Sequence, residues 1–142
     1  MEQINVTQTP VTINWKLIFS LSLFGLAMAI ATVFVIPSNI EPVFWLVIFI
    51  ACAYFIAKYA SGKYFLHGFV LSLANCVWIT SAHILLYSTY IMNHPQEAAM
   101  SAKMPMPEHP RMMMLIMGPA IGIVSGLVQG LFAFIASKIV KK

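Results

Sequence analysis

The chain has 142 residues, of which 61% are hydrophobic and 8% charged, with a formal net charge of +4. An ordinary globular domain is about half apolar and about one quarter charged, and a chain this short cannot hide so much apolar surface in a core. The composition argues against a small water-soluble domain. Its basic residues are scattered without a stripe, which argues against nucleic-acid binding. The class that remains is an all-α, polytopic integral membrane protein: one membrane domain over 1–142, built as a four-transmembrane-helix bundle in the lipid bilayer.

In chain order, the first apolar run is 15–36, with only Lys16 at its edge. Fourteen mostly polar residues without a basic leader precede it, and it is longer than a signal-peptide core, so the span is expected to be retained. Pro37 to Pro42 reads as a compact turn. The second run, 43–59, is short, but Lys58 can snorkel and Trp45 and Tyr59 suit an interface. Ser61-Gly62 makes 58–63 a tight connection. The third run, 64–92, and the fourth, 112–140, both exceed the roughly 20 residues that one crossing needs. All four are continuous rather than alternating, which favours helices over barrel strands. Between the last two lies an outer loop, 93–111. Pro95 suits the first turn of a short helix there, and the proline-rich stretch from Met104 to Pro110 prevents its continuation.

Orientation follows from the basic residues. Four spans put Lys16, Lys58, Lys63, Lys138, Lys141 and Lys142 on one side, against Lys103 and Arg111 on the other. The positive-inside rule then predicts an inner (cytoplasmic) membrane protein with both termini cytoplasmic.

Aligning the spans by depth puts Asn75 and Cys76 of the third span level with Val128 and Gln129 of the fourth and with Cys52 of the second. Asn75 and Gln129 are the two strongest polar side chains within the spans. Their matched depth predicts an intramembrane polar pair, meeting directly or through a shared water, since an amide in hydrocarbon seeks a partner. The sharper alternative is a polar lining for a solute or ion route. The fourth span also carries Gly118, Gly122, Gly126 and Gly130 at a strict four-residue interval, a glycine zipper on which another helix backbone can approach closely. Ser22, Gly25 and Ala29 form a matching small-residue face on the first span, so contact between spans one and four is expected.

Candidate chemistry is sparse. Cys52 and Cys76 form no C-x-x-C motif and read as free thiols. His67 and His83 lie too far apart on one helix to share a metal. The loop joins His94 and His109 to Met100, Met104 and Met106, a soft donor set suited to Cu(I); methionine is also an adaptable apolar filler, and no metal or other cofactor is expected. The four acids, Glu2, Glu41, Glu97 and Glu108, all lie outside the spans, so no catalytic residue is expected. The functional expectation is a small non-enzymatic membrane protein that associates with itself, as a homo-oligomer, or with a membrane-protein partner through close-packed helices. The alternatives are a small-solute or ion transporter or channel, and an outer-face Cu(I)-binding protein.

Ser61-Gly62-Lys63-Tyr64-Phe65-Leu66-His67-Gly68, joining spans two and three, is followed by a fourth span reading Gly118-Pro119-Ala120-Ile121-Gly122-Ile123-Val124-Ser125 and ending in Lys138 and Lys141-Lys142. This order resembles a bacterial family of small four-helix inner-membrane proteins whose domain has no assigned function. The resemblance implies a bacterial inner membrane and brings no active site with it.

Overall fold

The computed structural model describes residues 10–141; Glu2 and Lys142 lie outside them. Among the described residues every regular element is a helix: α1 (Trp15–Phe34), α2 (Glu41–Tyr59), α3 (Tyr64–Leu85), α4 (Tyr87–Asn93), α5 (Pro95–Ser101) and α6 (Pro110–Ile139). Of these α1, α2, α3 and α6 are long and apolar enough to cross a membrane. Large apolar side chains stand outward on all four, including Phe19, Val47, Val77 and Val124, a surface that water would penalise and lipid would not.

The helices run up and down. One end of the bundle carries the start of α1 and the end of α6, and the other carries α4 and α5; these are the termini end and the loop end. At the termini end Ile18, Leu21, Cys52, Ile56, Leu71 and Ala133 form a core drawn from all four long helices. Asn14 organises the start of α1. Its Oδ1 accepts from Leu17 N–H at 3.0 Å, and its own N–H donates to His67 Nε2 at 2.9 Å. The first turn of α1 is thus capped and tied to α3. His67 Nδ1–H donates in turn to Lys63 carbonyl at 2.9 Å. Lys63 sits at φ 49°, a left-handed conformation that lets the chain reverse between α2 and α3 within a few residues.

The third apolar run does not continue as one helix to residue 92. It breaks at Leu86, where φ −104° and ψ 28° are not helical, and α4 starts afresh. Arg111 holds the break: its Nε donates to Ile84 carbonyl at 3.2 Å, and its guanidinium lies over the Tyr87 ring. A cation there meets carbonyls that the helix end leaves unpaired. The short helix expected from Pro95 is present as α5, and Pro110 occupies the first turn of α6.

Contact between α1 and α6 is not the organising interface. The central helix is α3, with its most extensive contacts to α6 and then α1; α2 lies mainly against α6. The glycine strip of α6 and the small-residue face of α1 both close on α3. Two small faces suit two approaches to a third helix as well as they suit each other, and no sequence spacing distinguishes the arrangements.

Candidate functional site: a cavity between α2, α3 and α6

The α3–α6 contact explains why the glycines are where they are. A Cβ added at Gly122 would lie 2.8 Å from Cys76 Cβ, at Gly126 2.8 Å from Phe69 Cδ2, and at Gly130 2.8 Å from Phe65 carbonyl oxygen. One at Gly118 would overlap Thr80 Oγ1, and one at Gly68 of α3 would sit 2.6 Å from Gln129 carbonyl oxygen. The helices therefore touch backbone to backbone toward the termini end. Cys76 Sγ donates to Gly118 carbonyl at 2.9 Å, and Ser72 Oγ reaches Gly122 carbonyl at 3.4 Å. Toward α1, Gly25 receives the Asn75 carboxamide of α3. Ser22 Oγ accepts from Trp78 Nε1 at 3.2 Å, and Ala29 is fully buried.

The helix α2 behaves differently along its length. Its buried residues, Cys52, Ala53, Ile56 and Ala57, all lie in its second half, where small side chains draw it into the core. Its first half presents Trp45 and Phe49, whose rings meet edge to face at 6.1 Å; Phe49 meets Phe132 of α6 the same way at 6.2 Å. Beyond this aromatic contact the space between α2, α3 and α6 is left unfilled. The result is a cavity of about 690 Å³ at the loop end. Its deep wall carries Ser72, Asn75 and Cys76 of α3 and Ser125 of α6; its sides carry Trp45, Ile79, Ile121 and Val128. Toward the loop end it is lined by Glu41, Tyr90, Glu97 and five methionines.

Asn75 and Gln129 make no direct hydrogen bond to each other. Gln129 is buried, and its Nε2 donates to Phe49 carbonyl at 3.3 Å, across to α2. Asn75 is 4% exposed, faces Gly25, and makes no hydrogen bond to any described residue; its Oδ1 is buried without a partner. The expected depth match does not hold: α3 meets α6 in a register that puts Gln129 against Gly68 and Gly122 against Cys76, so the two amides lie about two helical turns apart. Asn75 is left as an unsatisfied amide bordering the cavity.

The candidate metal donors are separated. Met104 and Met106 line the cavity, while Met100 and His109 are exposed. His94 is buried with Nδ1 toward Tyr90 carbonyl at 2.8 Å and Nε2 toward Ile36 carbonyl at 3.0 Å, so neither nitrogen is directed at a metal. Its part is to meet carbonyls near the end of α1, as Asn93 does by donating Nδ2–H to Val33 carbonyl at 2.8 Å. Among the described residues no group of three or more His, Cys, Asp or Glu could hold a metal ion, and both cysteines are free.

Thr32, which no sequence motif marks, joins His83, Tyr90 and His94 in shaping this end of the molecule. Thr32 Oγ1 donates to Ala29 carbonyl and receives His83 Nε2–H at 3.1 Å. His83, Tyr90 and His94 stack in series, with centroids 4.1 and 4.4 Å apart. Burial, and then the carboxylates of Glu97 and Glu41, push the Tyr90 hydroxyl well up, so it stays protonated. The His83, Tyr87 and Tyr90 spacing was a legible signal, but it reads equally as an interfacial aromatic belt. No family model, curated protein or solved structure matches the chain.

Proposed function

We propose that this chain is a multi-pass protein of a cell's inner membrane, with both termini cytoplasmic, that binds a small molecule in the loop-end cavity. One observation carries the reading: an amide at mid-helix depth, without a partner among the described residues, borders a cavity large enough for a ligand. An unmet amide in a low-dielectric setting costs about 1–3 kcal/mol. Oδ1 needs a donor, which a bound water supplies, while the amide N–H groups, which meet no acceptor among the described residues, are left to donate to a ligand acceptor. Pockets of about 300–1,000 Å³ with apolar walls and a few polar groups are the usual form of small-molecule sites. Lysines clustered at the termini end support the orientation. Association through the glycine strip is the weaker reading, because α3 already covers that strip.

Radiolabelled triphenylphosphine oxide, an uncharged probe with apolar rings and one strong acceptor, tests the site. The wild type in lipid nanodiscs is expected to bind it saturably, above empty nanodiscs, near one per chain. Ser125→Phe, which fills the cavity, should abolish this without changing the protein's elution or melting. Equal uptake by empty nanodiscs and by both proteins would overturn the cavity reading.

A further inference from the structure

The cavity has a polarity that the binding reading does not use. Two carboxylates, Glu41 on α2 and Glu97 on α5, lie among its lining residues, and no lysine or arginine does. Neither carboxylate has an ion-pair partner among the described residues. The nearby cation Arg111 is directed instead at Ile84 carbonyl and the Tyr87 ring. Both acids raise the proton affinity of Tyr90, which lines the same cavity. Trp45 Nε1 donates to Glu41 Oε1 at 3.0 Å, so that carboxylate is held at the wall rather than left to swing into solvent.

Each acid has a local explanation, since each lies in the first turn of a helix, where the helix dipole favours it. That does not account for their convergence on one cavity, nor for the unpartnered Asn75 amide deeper in the same cavity. Between them the walls are aromatic, aliphatic and thioether. Aromatic faces attract cations, and methionine adapts to irregular apolar shapes.

We propose that the ligand is an amphipathic organic cation. Its positive centre lies toward Glu41 and Glu97, and its apolar body lies along Trp45, Ile79 and Ile121 toward Asn75. The proposal rests on the cavity reading above and adds the sign of the ligand's charge. Two like charges facing one cavity favour cations and disfavour anions.

Tetraphenylphosphonium and tetraphenylborate test it, because they share shape and apolar surface and differ in charge. Both are measured on the full chain in nanodiscs of zwitterionic lipid, with empty nanodiscs subtracted and triphenylphosphine oxide in parallel. The expected result is binding of the cation at least about tenfold tighter than the anion, which corresponds to about 1.4 kcal/mol. In Glu41→Gln/Glu97→Gln the preference should collapse to near unity while the uncharged probe binds as before. Glutamine keeps an acceptor for Trp45 Nε1, so the wall is retained, and an unchanged melting temperature checks the fold. Equal binding of cation and anion by the wild type, with the uncharged probe still bound, would overturn the charge proposal and leave the cavity reading standing. A preference that survives the double substitution would also overturn it. No saturable binding of any of the three would remove both.

Discussion

The two ends of the bundle use the same helices to opposite effect. At the termini end small residues let backbones meet: Gly68 against Gln129 and Gly130, Gly130 against Phe65, and the small second half of α2 against the shared core. Toward the loop end the same α2 touches α6 through Phe49 and then, with Trp45, lines a cavity instead of a packed core. One helix thus changes from a packing surface to a cavity wall within about two turns. Side-chain size sets local helix separation, and a membrane bundle gains little by closing a gap that lipid or a ligand can fill.

The largest expected effect breaks the close end. Gly130→Ile or Gly68→Ile would drive a branched side chain into backbone atoms that cannot move independently. Each should cost about 3 kcal/mol or more and remove the monodisperse species on size-exclusion chromatography in detergent. Leu131→Ile, one residue along on an exposed face, should elute and melt like the wild type. Equal behaviour of the Gly130 and Leu131 variants would deny the difference between the faces.

Adjacent positions sharpen the contrast. Gly126 meets Phe69, whereas Ser125 borders the cavity. Gly126→Phe should destabilise strongly, by about 3 kcal/mol, while Ser125→Phe should leave thermal unfolding nearly unchanged. A reversal of that order would place the cavity on the wrong side of α6.

At the termini end, His67→Leu would remove the acceptor of Asn14 N–H and the donor to Lys63 carbonyl. A loss of about 1–3 kcal/mol is expected from the groups left unmet. Hydrogen exchange should rise first at the start of α1, and protection there equal to the wild type would refute the tie.

The smallest effect separates the two amides. Gln129→Leu removes a bond to Phe49 carbonyl and should cost about 1 kcal/mol. Asn75→Leu removes no bond to the described chain and should be neutral or slightly stabilising without ligand, while weakening binding of triphenylphosphine oxide. Equal destabilisation by both would show that they act as a pair after all.

Much of this molecule is legible along the chain. Continuous apolar runs specify helices because every backbone group must be satisfied within the segment when water is absent. Asn14 before Trp15, Pro95 and Pro110 mark helix starts by chemistry that acts within a few residues. The four-residue glycine spacing marks a close approach for the same local reason. The break at Leu86 was hidden, because Arg111, which holds it, comes from a distant segment.

The candidate site was less legible still. Asn75, Glu41 and Glu97 could be noted as polar residues, but their convergence on one cavity depends on how three helices are arranged about α3. The sequence by itself determined which segments are helices, which faces are small and which are apolar, since those follow from side-chain identity at fixed helical spacing. Only the tertiary structure decided that α3 rather than α1 covers the glycine strip, that Gln129 meets Phe49 carbonyl while Asn75 has no partner among the described residues, and that a cavity is left between α2, α3 and α6. The physical reason is that helix register, rotation and separation are set by contacts among residues far apart in the chain, and the length of an apolar run does not fix the register in which two helices meet.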